Sequence, residues 1–254
     1  GYPGLLTSDE EIRTLQFSAF GQGELSKDNW IITGGLSANW VSYYLLQLNL
    51  SPAVEQEVNY DPVITPRIAL LRKINDAFSL YGNMSWGFSP PTLAEVRPSN
   101  GVFNTTLQPE KGTQIELGAK GYFAKRKFFV EATVYHFALD ETIVVRRDED
   151  GAEYFVNAGA TNQNGLELMV NWQPDIASSV LSSLKLWSGL TLNQYEFKDY
   201  TKDNVSYSGN QLTGTPKRVL TGGADLLFAK GFYLNLTASY TSEIPLNDAN
   251  SVYA

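Results

Sequence analysis

The sequence predicts an all-β fold, an antiparallel meander of about ten strands that forms part of a transmembrane β-barrel. Three observations support this prediction. Apolar and polar residues alternate with a period of two, tight turns alternate with long loops, and aromatic residues lie near the ends of the strands. Because side chains i and i+2 of a strand share one face, the alternation gives each strand one apolar face and one polar face.

The alternation is clearest in five segments, residues 78–88, 115–123, 166–172, 184–192 and 232–240. In each segment one set of alternate positions carries no charge, although charged residues make up 18% of the chain. The positions between them are mostly polar. A soluble β-sandwich also alternates in this way, so this pattern alone leaves that alternative open.

The spacing of the strands favours the barrel. The predicted strands cover residues 13–24, 30–47, 66–73, 77–88, 113–124, 128–146, 153–173, 181–197, 218–229 and 231–241. Tight turns between them alternate with longer connections, of which the longest span 48–65, 89–112 and 198–217. In an antiparallel meander this puts the turns at one rim and the loops at the other, as in outer-membrane barrels.

Aromatic residues mark both rims. Those next to tight turns are Trp30, Phe123, Phe128, Trp172, Phe228 and Phe232, and those near long loops are Trp86, Phe88 and Tyr240. Outer-membrane barrels have such aromatic girdles at the two membrane interfaces. In hydrocarbon every backbone polar group needs a partner within the protein, and only closure of the sheet removes its edges.

The composition excludes several classes of function. With 27 acidic and 19 basic residues the chain is a poor candidate for binding nucleic acid, since phosphate contacts need clustered cations. It has no cysteine and one histidine, His136, so thiolate sites are excluded and any histidine-based metal site or triad would depend on that residue. No nucleophile elbow or paired-carboxylate motif is present. We therefore expect no enzymatic activity, no metal site and no cofactor.

Several motifs resemble TonB-dependent receptors. Residues 107–120, LQPEKGTQIELGAK, are similar to the family's L-x-P-E-x-x-x-x-x-E-x-G-x-K stretch, which leads from an external loop into a barrel strand. Residues 157–168 resemble its N-A-G-x-x-x-x-x-G-x-E-x strand, residues 87–95 its G-F-x-x-P-T-L-x-E loop entry, and residues 215–217 its T-P-x-h strand entry. The resemblance rests on the order and spacing of these motifs across residues 66–241.

The resemblance implies a 22-stranded barrel with a plugged lumen, of which residues 1–254 would form part of the barrel domain. It implies TonB-dependent uptake of a scarce solute across the bacterial outer membrane, most often a ferric siderophore or another iron complex; cobalamin and oligosaccharides are also cargoes of this family. The implied partners are the cargo, outer-membrane lipid and the TonB-ExbB-ExbD complex, which would act through a plug outside this chain. A passive porin-like channel and a soluble β-sandwich binding module remain as alternatives.

Two groups of residues are candidates for the functional site. Loops on a rigid scaffold usually carry recognition, so the longest loops suggest cargo contacts at Arg97, Tyr200, Tyr207, Asn210 and Gln211. The polar faces of the strands suggest lumen-facing charges at Glu116, Lys120 and Glu167.

Overall fold

The computed structural model describes residues 9–99, 101–147, 150–202 and 204–254. The strands and one short helix follow one another as β1 (Glu10–Lys27), β2 (Trp30–Gln47), β3 (Val54–Asn59), β4 (Val63–Lys73), β5 (Phe78–Ser89), α1 (Leu93–Val96), β6 (Glu110–Phe123), β7 (Phe128–Asp140), β8 (Ile143–Arg147), β9 (Glu153–Asn157), β10 (Ala160–Trp172), β11 (Leu181–Lys198), β12 (Thr201–Lys202), β13 (Val205–Ser206), β14 (Arg218–Phe228) and β15 (Tyr233–Thr241).

Ten of these strands form one antiparallel meander, in the order β1-β2-β4-β5-β6-β7-β10-β11-β14-β15. The predicted fold class is therefore confirmed. β3 pairs with the second half of β2, and the pairs β8–β9 and β12–β13 are separate hairpins. Within the described residues β1 and β15 are not paired with each other, so the sheet is open. The stacked second sheet that a β-sandwich requires is not present in this part of the chain.

One face of the sheet is mostly apolar, and we call it the apolar face. A single register row crosses seven neighbouring strands without a polar side chain, through Ile32, Leu70, Gly82, Leu117, Val134, Leu166 and Leu192. These side chains do not pack beneath another element, since Leu117 is 60% exposed and Leu236 on β15 is 54% exposed. An apolar surface this broad is typical of one that contacts lipid.

The opposite face, which we call the polar face, carries the polar and charged residues of the same strands. It includes Arg67, Tyr81, Asn83, Glu116, Lys120, Glu131, Thr133, Tyr135, Glu167, Thr191, Asn193, Asp225 and Asn235. Glu116, Lys120 and Glu167 thus lie on the face where the alternation places them. A barrel closed around this face would have a polar lumen.

Two predicted strands are shorter in the structure than expected. The segments 128–146 and 153–173 were each predicted as one strand, but the chain breaks at Glu141, with φ 60°, and at Gly159, with φ 99°. Beyond these breaks β8 and β9 pair only with each other. The first break falls in the polar run Asp140-Glu141-Thr142 and the second falls at a glycine, but neither signal shows that the hairpin leaves the sheet.

The three longest predicted loops contain local structure that the sequence analysis did not predict. β3 lies in the first, α1 in the second and the hairpin β12–β13 in the third. α1 begins with a capping box in which the Glu95 carboxylate accepts a hydrogen bond from the backbone N–H of Thr92, 2.6 Å away. Short strands and single turns give too little periodicity to be detected.

The tight-turn rim carries exposed aromatic residues as predicted, among them Trp30, Phe123 and Trp172. At the loop rim Trp86 and Tyr240 are exposed, whereas Phe88 packs against a buried cluster on the polar side. No helix in the described segments has the length and apolar character that crossing a membrane would require.

Candidate functional site

The connections at the long-loop end form a layer across that end of the sheet. We call it the loop layer, and it comprises the described residues of 90–109, 141–159, 199–217 and 242–254. These four segments are far apart in sequence, and the pairing of the strands places them at the same end of the sheet. Their mutual hydrogen bonds show that they form one connected surface and not four separate loops.

A small apolar core anchors the loop layer to β2. Val41, Tyr43 and Leu45 alternate along the polar face at the loop end of this strand, and they pack with Val96 of α1 and with Phe103. Leu45 and Val96 are fully buried. The Tyr43 hydroxyl donates a hydrogen bond to the carbonyl of Pro91 just before the helix. Burial of these side chains holds the segment after β5 against the sheet.

Arg97 follows α1 and forms an ion pair with Glu10 at the start of β1. Its Nε donates to Glu10 Oε2 at 3.0 Å, and its Nη2 donates to the second carboxylate oxygen. The two side chains are only 15% and 14% exposed. A paired, mostly buried guanidinium is well placed to fix the loop, and less well placed to contact a cargo directly.

The segment after Arg97 is attached to the hairpin β8–β9. The side-chain amide of Asn104 donates to the carbonyl of Phe155 at 2.8 Å. The backbone N–H of Gln108 donates to Asn157 Oδ1 at 2.7 Å, and the Asn157 amide donates back to the carbonyl of Gln108 at 2.8 Å. The hairpin that leaves the sheet is therefore held by the preceding loop.

Tyr200 is the centre of the second half of the loop layer. It is 4% exposed, and its ring stacks on Phe197, with centroids 4.6 Å apart, and lies 5.9 Å from the ring of Tyr207. The guanidinium of Arg146 on β8 lies 5.6 Å from the Tyr200 ring centroid, and the Tyr200 hydroxyl donates to Asp248 at 3.1 Å. Burial raises the pKa of Tyr200, while the hydrogen bond from Arg146 acts in the opposite direction.

Asp248 joins the long loop to the last segment of the chain. Its Oδ1 accepts a hydrogen bond from Thr213 at 2.7 Å, and its backbone carbonyl accepts one from the Asn210 amide at 2.8 Å. Gln211 is bound in the same region, because its N–H donates to Asn250 Oδ1 at 2.7 Å and its carbonyl accepts from the Asn250 amide at 2.9 Å. Gln211 is 8% exposed.

The structure brings four of the five predicted loop residues together around Asp248: Tyr200, Tyr207, Asn210 and Gln211. Arg97 lies elsewhere, next to Glu10, and among the described residues the hairpin β8–β9 connects it to them. Arg146 and Asp248 link these segments and were not predicted from the sequence. The segment 247–250, Asn-Asp-Ala-Asn, has the composition of a turn and was the one available signal for Asp248.

On the polar face, Glu116 and Glu167 line one open cavity of about 500 Å³ together with Glu131, Thr133 and Thr191. The Glu116 carboxylate accepts hydrogen bonds from the side-chain amides of Asn83, at 3.4 Å, and Gln114. The carboxylates of Glu116, Glu131 and Glu167 make this part of the polar face strongly acidic.

Lys120 lies beside the same cavity, with its ammonium 5.3 Å from the ring centroid of Tyr81. The Tyr81 hydroxyl donates to Glu131 at 3.0 Å and shares a hydrogen bond of 2.7 Å with Thr133. Tyr81 is therefore the residue that connects the predicted cation with the carboxylates. This role of Tyr81 was not predicted from the sequence, because its partners lie on β6 and β7.

Across the described part of the chain, no group of three potential metal-ligating side chains could hold an ion. His136 lies on the apolar face near the loop rim, where its Nδ1 is 2.7 Å from Asn164 Oδ1 on β10. The contact with Asn164 gives the His136 side chain a partner within the sheet, so no ligand is needed to explain its position.

A broad antiparallel sheet with one apolar face, one polar face and a loop layer at one rim defines a wall segment of a membrane β-barrel. Residues 1–253 match the family model described as TonB dependent receptor-like, beta-barrel. The chain belongs to the TonB-dependent receptor family, as the motifs indicate.

Among curated proteins, the chain is similar to the ferrioxamine receptor of Yersinia enterocolitica. The two are 24% identical over 252 residues, which cover 98% of this chain and 32% of the receptor. The chain thus spans about a third of the length of this relative.

Solved structures of the same family have the same fold. The ferric citrate transporter FecA in its unliganded form superposes with a TM-score of 0.75 at 20% identity, covering 96% of this chain and 35% of FecA. The siderophore receptor PiuA from Acinetobacter baumannii gives a TM-score of 0.74 at 18% identity, with 96% and 36% coverage. The ferric yersiniabactin uptake receptor FyuA from Yersinia pestis gives 0.70 at 16%, with 97% and 37% coverage.

Proposed function

We propose that residues 1–254 form part of the barrel domain of an outer-membrane receptor that takes up an iron complex, a ferric siderophore, with energy supplied through TonB. The observation that carries this proposal is the sheet itself, which has one apolar face for lipid, one polar face and a loop layer at a single rim. A soluble binding module would not expose an uncharged row of side chains across seven strands to water.

The class of cargo rests on the relatives. The curated relative is a ferrioxamine receptor, and the three similar structures named above are a ferric citrate transporter and receptors for siderophores. All of these cargoes are small iron complexes. The loop layer supports the same class, because its aromatic rings and amide groups suit a compact polar ligand.

Within the loop layer we assign different roles to the predicted residues. Tyr207 and Asn210 are only partly buried and are our candidates for direct contact with the cargo. Tyr200, Gln211 and Arg97 are buried or paired, so we assign them to holding the loops in position. Glu116, Lys120 and Glu167 are assigned to the lumen, where they would face a plug domain and water.

The proposed partners follow from the same mechanism. A plug outside this chain would fill the lumen and connect the receptor to the TonB-ExbB-ExbD complex, which transmits the energy of the inner-membrane proton gradient. Outer-membrane lipid would cover the apolar face. The bacterial outer membrane is accordingly the proposed location.

The experiment compares uptake of labelled ferrioxamine, ferric citrate and a catecholate iron complex in cells with the full-length gene, without it, and with it in a strain that lacks TonB. We expect uptake of at least one complex to require both the gene and TonB. Uptake that needs the gene but not TonB would indicate a passive porin-like channel. Unchanged uptake of all three complexes would contradict the iron assignment.

A further inference from the structure

The apolar face carries two cations at the tight-turn rim, where the two-residue turn 28–29 and the turn 74–77 lie. Lys27 is directly opposite Trp30 in the pairing of β1 with β2, and Trp30 is directly opposite Arg72 in the pairing of β2 with β4. The three residues therefore lie side by side on three neighbouring strands. The Arg72 guanidinium lies 4.6 Å from the Trp30 ring centroid.

The side chains beyond this row are apolar. Leu25, Ile32 and Leu70 form the next row on the same face, about 7 Å further from the rim at two residues along each strand. All three are at least 40% exposed. The row of Lys27, Trp30 and Arg72 thus lies between the apolar surface of the sheet and the turns. In a membrane barrel this is the level at which lipid headgroups meet hydrocarbon.

A shallow depression lies one row further along. Gly23 and Gly34 are directly opposite each other, and a Cβ at either position would meet no atom within 4 Å. The surface there is bare backbone between larger side chains, Ile32 before it and Leu36 beyond it. An acyl chain can lie along such a depression.

We propose that Lys27, Trp30 and Arg72 bind the headgroup of an anionic glycerophospholipid in the leaflet at the tight-turn rim, with an acyl chain seated over Gly23 and Gly34. Charge complementarity identifies this occupant, because two cations roughly 10 Å apart across two strand spacings can converge on one phosphate. The chain as a whole is acidic, with a net charge of -8, so cations on an apolar face are not explained by its composition. Asp28, at the tip of the turn 28–29, is the acidic residue nearest to Lys27 in sequence.

This inference rests on the proposed membrane location. It is tested by titrating phosphatidylglycerol into the full-length protein in detergent and counting bound lipids by native mass spectrometry. Phosphatidylcholine with the same acyl chains and inorganic phosphate serve as comparison ligands. The matched control is Lys73→Gln, because Lys73 is the neighbour of Arg72 but lies on the polar face, opposite Ser79.

We expect Arg72→Gln and Lys27→Gln each to weaken phosphatidylglycerol binding about fivefold, the effect of one cation near an anionic surface. Lys73→Gln should leave it unchanged, and phosphatidylcholine should not distinguish any of these variants from the wild type. Gly34→Leu fills the depression and should weaken binding of long-chain but not short-chain phosphatidylglycerol.

Equal binding by Arg72→Gln and Lys73→Gln would overturn the headgroup assignment, and so would full displacement of the lipid by inorganic phosphate. Unchanged long-chain binding by Gly34→Leu would overturn the seating of the acyl chain. If the protein takes up its iron complex through TonB but Arg72→Gln binds lipid normally, this inference alone fails. If the full-length protein stays soluble without detergent, the proposed function fails as well.

Discussion

The ring of Tyr135 on β7 lies directly over Gly165 on β10, its partner in the pairing of the two strands. A Cβ at position 165 would lie 2.2 Å from Tyr135 Cζ and 2.3 Å from its hydroxyl oxygen. Across the glycine the hydroxyl reaches β11, where it shares a hydrogen bond of 2.5 Å with Tyr195 and donates to Asn193 at 3.1 Å. One missing side chain thus lets a tyrosine connect three strands.

A close approach by an aromatic side chain also explains two further glycines of the family motifs, Gly118 and Gly159. Tyr81 on β5 lies over Gly118 on β6, where a Cβ would be 2.2 Å from its ring. In the loop layer Gly159 combines a φ of 99° with a close approach to Tyr200, 3.1 Å from the site of a Cβ. These glycines are required because an aromatic side chain from elsewhere occupies their space.

We predict that Gly165→Ala destabilises the barrel by about 1–3 kcal/mol, because the methyl group displaces the Tyr135 ring and breaks its hydrogen bonds to β11. Gly87→Ala is the control, since a Cβ there has open space. Chemical unfolding of the full-length protein in detergent, followed by near-ultraviolet circular dichroism, measures both. Equal stability of the two variants would show that the Tyr135–Gly165 contact contributes nothing.

The strands of the main sheet were predictable because alternation is a local property of the sequence. Leu117 on the apolar face and Glu116 on the polar face follow from their positions in one short segment. Their neighbours across the sheet also follow once the order of strands is known. For this reason the fold class and the side of each predicted lumen residue could be obtained without a structure.

The contacts within the loop layer could not be predicted from local sequence patterns. The contact of Arg97 with Glu10 joins residues far apart in sequence, and so does the contact of Tyr200 with Asp248. Nothing near either residue indicates its partner. The break at Gly159 was not predicted because only two residues separate β9 from β10, although a glycine in a strand is a known sign of a bend.

A second prediction compares two adjacent positions of β15. Leu236→Arg places a charge on the apolar face, and in a membrane it should cost up to about 4 kcal/mol, depending on depth. Thr237→Arg places the same charge on the polar face and should cost much less. Unfolding of the full-length protein in lipid vesicles measures the difference. If both variants have the same stability, the apolar face does not contact hydrocarbon.

A third prediction concerns the ion pair of Arg97 with Glu10. Its side chains are mostly buried, so Arg97→Gln leaves a carboxylate without its cation and should cost about 2 kcal/mol, less than a fully buried pair. The segment after Arg97 should then be cut faster in limited proteolysis. Glu10→Gln and the double variant complete a double-mutant cycle. Additive effects in that cycle would mean that the pair does not hold the loop.

A fourth prediction separates two neighbouring tyrosines beneath the loop layer, Tyr43 and Tyr60. Their rings meet edge to face with centroids 6.0 Å apart, but their hydroxyl groups differ. That of Tyr43 donates to the carbonyl of Pro91, whereas that of Tyr60 is buried with no hydrogen-bond partner in the described part of the chain. Tyr43→Phe should therefore cost about 1–3 kcal/mol, and Tyr60→Phe should raise stability by about 1 kcal/mol.

The buried hydroxyl of Tyr60 also leads us to predict that the stability of the protein depends on pH. Burial, followed by the nearby Tyr43 and Glu95, raises the pKa of Tyr60 from 10.0 to about 12. A raised pKa means that the folded protein holds this proton more tightly, so the contribution to stability is complete below pH 10 and is lost as the pH rises from about 10 to about 12. Unfolding measured across this range should show that loss in the wild type and not in Tyr60→Phe. An identical alkaline decline in both proteins would assign it to other groups.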